Sequence, residues 1–206
     1  MRTLKALLVF VVFALVWLLR PFVTVRFGNL FVSRLGHLAA NTECYLCERD
    51  AGRHPKRTID IWSPLGVPAN KALLAMFSRV MLVWPAGALV AHIGKRFKWW
   101  EKHTFSDAQW GRDIHNLLEM QAPHLSFTPE EVQRGEEGLR ALGIPAGAKW
   151  VCIIARDGNY LQAKESGVDY NYHSFRNSDI QNNREAAVAL MERDYYEVRM
   201  GSYVKE

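Results

Sequence analysis

Short strand-like runs alternate with longer helix-like runs of apolar positions along most of the chain. Runs rich in β-branched and aromatic residues predict strands at 22–27, 58–62, 80–84, 149–155 and 196–200. Helical spacing of apolar residues predicts helices over 39–48, 69–79, 86–97, 107–120 and 186–191. Strands that alternate with helices predict an α/β fold of Rossmann-like type, with a parallel sheet covered on both faces.

The clearest helix start lies at residue 128. Thr128, Pro129 and Glu131 match a capping box, and Gly143 is suited to end the helix that they open. The following Ile144–Ala148 segment is the best candidate for a linker. We therefore expect a Rossmann-like domain over 22–145 and a second strand-then-helix unit over 146–206, which is shorter than a complete Rossmann-like domain.

The first twenty-one residues differ in character from the rest. Fourteen uncharged, mostly apolar residues from Ala6 to Leu19 would form a helix about 21 Å long, short of the ~30 Å bilayer core. Arg20–Pro21 stands where a signal peptide would carry small residues for cleavage. We expect 1–21 to be an uncleaved membrane anchor or an interfacial helix. Arg20, Arg26 and Arg34 favour a body on the cytoplasmic face of the inner membrane.

Composition excludes several classes of protein. A hydrophobic content of 49% and a net charge of +5 indicate a globular chain whose basic excess suits an anionic ligand or a membrane surface. No Lys/Arg block or zinc-finger spacing is present, so nucleic acid is not an expected partner. Cys44 and Cys47 form a C-x-x-C, interpreted as chance helical spacing, and Cys152 is predicted to lie in the core. We expect no metal and no cofactor.

One candidate site follows the first predicted strand, in the segment SRLGHL at 33–38. Loops at the carboxyl ends of parallel strands bind ligands in open α/β folds. Arg34 and Gly36 are expected to contact substrate, with Gly36 allowing close backbone approach. His37 is expected to orient an acceptor hydroxyl or remove its proton. The alternative is that His37 caps the helix or packs against an aromatic residue.

A second candidate site follows the strand at 149–155. Arg156 and Asp157 end that strand, Arg176 precedes the next helix, and Gly201 follows the last strand. Two arginines near a helix start suit a diphosphate, and Asp157 would hold them in orientation. The alternative is a structural ion network among these groups. No G-x-G-x-x-G fingerprint is present, which argues against a dinucleotide enzyme.

These motifs carry a family resemblance. The segments SRLGHL at 33–38 with Glu43 and Tyr45, IIARDGNY at 153–160, HSFRNSDI at 173–180 and VRMG at 198–201 resemble a family of bacterial glycosyltransferases associated with surface polysaccharide synthesis. The resemblance covers roughly residues 22–206, and HSFRNSDI is its most specific part. The strand that ends in Arg156 is also similar to the phosphate-holding arginine motif of fucosyltransferases.

The resemblance implies a two-Rossmann glycosyltransferase fold (GT-B), with an acceptor half first and a nucleotide-sugar half second. It adds Tyr160 and His173 to the expected substrate-binding set. The expected reaction is a metal-independent transfer of a sugar from a nucleotide donor to a lipid-linked or polysaccharide acceptor, and most of the second domain is expected to be missing. The alternatives are a non-catalytic membrane-associated protein and a thiol redox protein built on Cys44 and Cys47.

Overall fold

The chain is a mixed α/β protein, and its described residues form two small parallel sheets. The computed structural model describes residues 2–105, 112–156, 158–159 and 171–201, the side chains of 2–5, 171 and 173 excepted. It divides into two compact units, one up to Phe127 and one from Thr128. This division precedes the linker expected at 144–148, because the helix that begins at Pro129 belongs with the second unit.

The first unit alternates strands and helices, as the hydrophobic pattern predicts. Its elements are α1 (Arg2–Leu19), β1 (Thr24–Phe31), α2 (Thr42–Asp50), β2 (Thr58–Leu65), α3 (Lys71–Val80), β3 (Leu82–Val83), α4 (Gly87–Gly94) and α5 (Leu117–Met120). A π-helical turn, His37–Asn41, leads into α2, and a 3₁₀ helix, Lys98–His103, follows α4. The helix expected over 107–120 is wrong for most of its described part, because only α5 is helical there; 106–111 lie outside the described residues.

The first sheet has the strand order β1-β2-β3, with all pairs parallel. β1 continues beyond the turn expected at Gly28, and β2 continues beyond its expected end at Trp62. These two residues are partners in the register. A Cβ on Gly28 would lie 2.5 Å from the Trp62 ring, so the missing side chain is what lets the indole pack against β1. The glycine therefore extends the sheet rather than ending it.

Two clusters of buried side chains form the core of the first unit. One surrounds Trp62 and Phe77, and its buried members are Leu30, Val32, Leu38, Tyr45, Leu46, Trp62, Phe77 and Met81. The other surrounds Phe27 and Trp100, and its buried members are Val9, Val16, Val25, Phe27, Val90, Ala91 and Trp100. Leu30 of β1 belongs to the first cluster, whereas Val25 and Phe27 point to the opposite face of the strand and belong to the second. Both faces of the parallel sheet are therefore covered, as expected.

Helix α1 packs on the first unit along one face only. Val9 and Val16 are buried in the second cluster, and the ring of Phe13 lies 4.5 Å from that of Trp100. Phe10 and Trp17 are 70% and 64% exposed on the same helix. Among the residues that the structure describes, none of the helices is both long and apolar enough to span a bilayer.

The second unit begins with the capping box, which is confirmed. The Glu131 amide donates to Oγ1 of Thr128, and the Glu131 carboxylate accepts from the Thr128 amide. The elements that follow are α6 (Pro129–Ala141), β4 (Lys149–Ile153), 3₁₀ helices at Asn171–Arg176 and Ile180–Asn183, α7 (Arg184–Met191) and β5 (Tyr195–Arg199). β4 and β5 pair in parallel.

The second unit has little buried apolar surface. Ile144 is its one buried hydrophobic residue in the part of the chain that the structure describes. The prediction that Cys152 lies in a core is wrong, since this residue is exposed. Among the described residues β4 pairs with β5 alone, and Trp150, on the same face as Cys152, is 43% exposed. An apolar strand becomes a core strand only where a further layer covers its face.

Candidate functional site

The segment after β1 lies at the carboxyl edge of the first sheet, as expected. The Leu38 amide donates to the carbonyl of Arg34 (3.0 Å), and the π-helical turn begins at His37. Arg34 is half-buried and His37 is exposed, with its ring 6.4 Å from that of Phe31. Gly36 has helical backbone angles and no described atom within 4 Å of an added Cβ. The three residues share one short segment whose glycine faces open space.

The second unit brings Arg156, the loop after Arg176 and Gly201 to one edge of its sheet. The Ser178 amide donates to the carbonyl of Arg156 (2.8 Å), which joins the loop to the end of β4. The Met200 amide donates to the carbonyl of Ile153 (2.9 Å), so the end of β5 lies beside it. Gly201 has a φ of 151°, which favours glycine. The sequence predicted this convergence because parallel strands end together.

The two arginines of this edge differ in their surroundings. Arg156 is half-buried, and its Nη1 donates a long hydrogen bond to Oδ1 of Asn177 (3.5 Å). Arg176 is exposed, with its guanidinium 5.4 Å from the centre of the Phe175 ring. Asp179 accepts a hydrogen bond from the Gln181 amide (2.9 Å), so it caps the 3₁₀ helix that leads into α7.

The side chains of three expected site residues lie outside the described part of the chain. Asp157, the expected orienting group, and Tyr160 lie outside the described residues. His173 belongs to the 3₁₀ helix at Asn171–Arg176, and its side chain lies outside the description. Their expected roles stay predictions.

Sequence reasoning missed a polar cluster at the amino end of the first sheet. Asp60 accepts hydrogen bonds from Nε and Nη2 of Arg26 (2.6 and 2.7 Å) and from the hydroxyl of Tyr45 (2.8 Å). The side chains of Arg26 and Asp60 are only 12% and 7% exposed. A signal was available: Arg26 and Asp60 are each the third residue of a strand, and parallel pairing in register sets them side by side.

Tyr45 of this cluster and His54 beside it both have pKa values shifted against their charged forms. Burial raises the pKa of Tyr45 well above its usual range, and the nearby Asp60 carboxylate adds to that rise. Burial lowers the pKa of His54, whose ring lies 5.2 Å from that of Tyr45, and the charge of Arg26 lowers it further. Tyr45, His54 and Asp60 line a cleft of about 480 Å³. Within the cluster, the charge of Asp60 is paired with that of Arg26 across the two strands.

A second missed cluster joins α2 to the segment after α5. Nδ1 of His124 lies 2.8 Å from Oε1 of Glu43, and its Nε2 lies 3.1 Å from Oδ2 of Asp50. One side-chain atom each of Glu43, Cys47 and His124 lie within 4.8 Å of one another. The sequence indicated one part of this cluster, since Glu43 and Cys47 are one helical turn apart in α2. It did not indicate that His124 lies beside them.

The C-x-x-C lies inside α2, with both sulfur-bearing side chains buried. Burial, followed by the charge of Asp113, raises the pKa of Cys44 to about 11. Burial and the charge of Glu43 raise the pKa of Cys47. Thiol oxidoreductases need a lowered pKa, because the thiolate is the attacking species. The surroundings therefore disfavour the thiol redox alternative.

Compared with known proteins, the chain matches no family model, no curated protein and no solved structure. The resemblance to glycosyltransferases that its motifs suggest therefore stays a prediction.

Proposed function

We propose that this chain is a glycosyltransferase, or part of one, that transfers a sugar from a nucleotide-sugar donor to a lipid-linked or polysaccharide acceptor. The observation that carries this proposal is the convergence of Arg156, the loop after Arg176 and Gly201 at one sheet edge. Such an edge is where open α/β folds bind ligands. The GT-B arrangement belongs to the same proposal.

The chemistry of the two arginines suits a nucleoside diphosphate leaving group. A guanidinium donates bidentate hydrogen bonds to phosphate and keeps its charge at any physiological pH. Arg176 is exposed and Arg156 is half-buried, so both can reach a ligand at the surface of the second unit. Stabilising the charge that develops on the diphosphate is the main electrostatic task of this transfer. Asp157, Tyr160 and His173 are proposed to complete the donor site.

The acceptor would use the segment after β1. Exposed His37 would orient the acceptor hydroxyl or take its proton, and half-buried Arg34 would contact the acceptor glycan or its lipid phosphate. The open space at Gly36 supports close approach of a ligand to the backbone.

Attachment to the cytoplasmic face of the inner membrane through α1 is part of the proposal. The solvent-facing side of α1 and the turn after it carry large apolar side chains: Leu7, Phe10, Trp17, Leu18 and Phe22. A helix with an exposed apolar face can lie in the membrane interface. We expect the full chain to sediment with anionic phospholipid vesicles, and a Phe10→Ser, Trp17→Ser variant to stay in the supernatant. Phe127→Ser, which removes an exposed aromatic side chain outside α1, is the control.

Calorimetric titration with nucleoside diphosphates tests the donor site. We expect one diphosphate of the panel to bind, and Arg156→Gln or Arg176→Gln to weaken it roughly ten- to hundredfold, as the loss of a charged hydrogen bond implies. Arg193→Gln is the matched control. Arg193 precedes β5 and so lies toward the amino edge of the same sheet, where it donates to the carbonyl of Ala189.

Two results would count against the enzymatic proposal. One is that no nucleotide binds at millimolar concentration. The other is that Arg193→Gln weakens binding as much as the site variants do, which would indicate attraction by overall charge. Either result would favour the alternative of a non-catalytic membrane-associated protein.

A further inference from the structure

Three potential metal ligands of different chemistry converge on one side of α2. Glu43 and Cys47 are one helical turn apart, so their side chains lie on the same face of the helix. His124 reaches that face from the segment after α5. A carboxylate oxygen, the thiol sulfur and a ring nitrogen of these residues all lie within 4.8 Å of one another.

The position of His124 is fixed by contacts to α2. The His124 amide donates to Oε1 of Glu43 (3.0 Å), and Nε2 of Gln121 donates to the carbonyl of Cys47 (3.0 Å). The side chain of His124 is 12% exposed, that of Glu43 is 20% exposed, and Cys47 is buried. These contacts hold the three residues close together, so the cluster is preorganised.

We propose that Glu43, Cys47 and His124 bind one zinc ion. Nitrogen, sulfur and oxygen together are the donors that zinc takes, whereas calcium and magnesium take oxygen alone. A bound zinc ion deprotonates a coordinating thiol. The thiolate and the Glu43 carboxylate then balance the two positive charges, and the proton released by Cys47 passes to solvent.

Asp50 completes the arrangement from outside the ligand set. Its Oδ2 lies 3.1 Å from Nε2 of His124, so Asp50 can hold a proton on Nε2 while Nδ1, 2.8 Å from Oε1 of Glu43, releases its own proton to solvent when zinc binds. This is the carboxylate–histidine–zinc relation common in zinc proteins. In the metal-bound form Nδ1 exchanges its contact with Oε1 for a bond of about 2.0–2.1 Å to zinc. Three protein ligands leave a fourth position for water or another ligand.

The zinc site is separate from the proposed sugar transfer, which uses no metal. It can therefore be tested without measuring enzymatic activity. The full chain is stripped with a chelator and titrated with zinc against a competing chromophoric chelator, and separately with cobalt(II). We expect one zinc ion per chain and a thiolate-to-cobalt charge-transfer band. Cys47→Ala is expected to abolish the band and to weaken zinc at least about a hundredfold, whereas Asp50→Asn should weaken it roughly ten- to a hundredfold.

Cys44→Ala and Cys152→Ala are the controls, because each removes a thiol that the proposal does not use. Both are expected to keep the band and the zinc affinity of the parent chain. The proposal is overturned if the parent chain binds cobalt without a thiolate band, or if Cys44→Ala loses the metal as Cys47→Ala does. The cobalt spectrum of the parent chain decides the question even if Cys47→Ala does not fold.

Discussion

Substitution of Asp60 by asparagine tests whether the buried ion pair between β1 and β2 stabilises the first unit. Asp60 accepts three hydrogen bonds, two from Arg26 and one from Tyr45. Asparagine has nearly the same shape but no charge, and its amide N–H groups cannot accept from the guanidinium. Arg26 would then keep its position over the Phe105 ring, 4.7 Å away, without a counter-ion.

The expected loss is large because the pair is nearly inaccessible. The side chains of Arg26 and Asp60 are 12% and 7% exposed, so water replaces the lost partner only in part. Removing one member of a buried pair costs about 3–5 kcal/mol of unfolding free energy. With a urea dependence of about 2 kcal/mol per molar, the unfolding midpoint should fall by roughly 2 M.

Urea unfolding followed by tryptophan fluorescence measures this effect, since Trp62 is fully buried beside Tyr45. Glu101→Gln, which neutralises an exposed carboxylate of the same unit, should change the free energy by less than about 0.5 kcal/mol. Adding Arg26→Met to Asp60→Asn removes the uncompensated charge. The loss of unfolding free energy in the double variant should therefore be smaller, by about 2 kcal/mol, than the sum of the losses in the two single variants.

A loss below about 1 kcal/mol for Asp60→Asn would refute this reasoning, since it is the size expected of an exposed pair. Additive losses in the double variant would also contradict it. That result would mean that Arg26 and Asp60 act independently, although Nε and Oδ1 are 2.6 Å apart.

Three further predictions concern the pH dependence, the sheet and the second unit. Burial lowers the pKa of His103, so between that lowered value and about pH 6.5 the unfolded chain binds more protons than the folded chain. The stability that is present above about pH 6.5 is therefore lost as the pH falls through the lowered pKa of His103. Urea unfolding at pH 7 and pH 5 should show a smaller loss for His103→Asn than for the parent; an equal loss would exclude His103 as a cause. Gly28→Ala should lower stability by about 1–3 kcal/mol in thermal unfolding, because its Cβ meets the Trp62 ring, while Gly36→Ala, which meets open space, should not. Hydrogen exchange should be faster in the described part of the unit from Thr128 than in the core strands of the first unit, and equal protection would show that its small buried surface suffices.

Many of the helices and strands, and one of the candidate sites, could be predicted from local sequence. The strands and helices from β1 to α4 follow from the period of apolar positions, and the start of α6 follows from the capping box at Thr128. The convergence of Arg156 and Gly201 follows from parallel pairing of the strands that precede them. These features depend on residues close in sequence or on a simple rule of topology.

Other features depended on contacts that a local pattern does not contain. Gly28 was expected to end a strand, but the Trp62 indole packs where its side chain would be, so the strand continues. Cys152 is predicted to lie in a core, but it is exposed, and in the described part of the unit its strand pairs with β5 alone. Whether an apolar residue is buried is decided by the layer that packs on it.

The two polar clusters show the same division. Pairing of Arg26 with Asp60 could be read from the sequence once the register of two parallel strands is assumed, because each is the third residue of its strand. His124 is 81 positions from Glu43, and no periodic pattern links them. The sequence by itself determined the elements and the chemical groups that they carry. Only the tertiary structure decided which distant groups meet. Loop segments such as the one that carries His124 have no periodic pattern, and their positions are set by packing and hydrogen bonds to the rest of the fold.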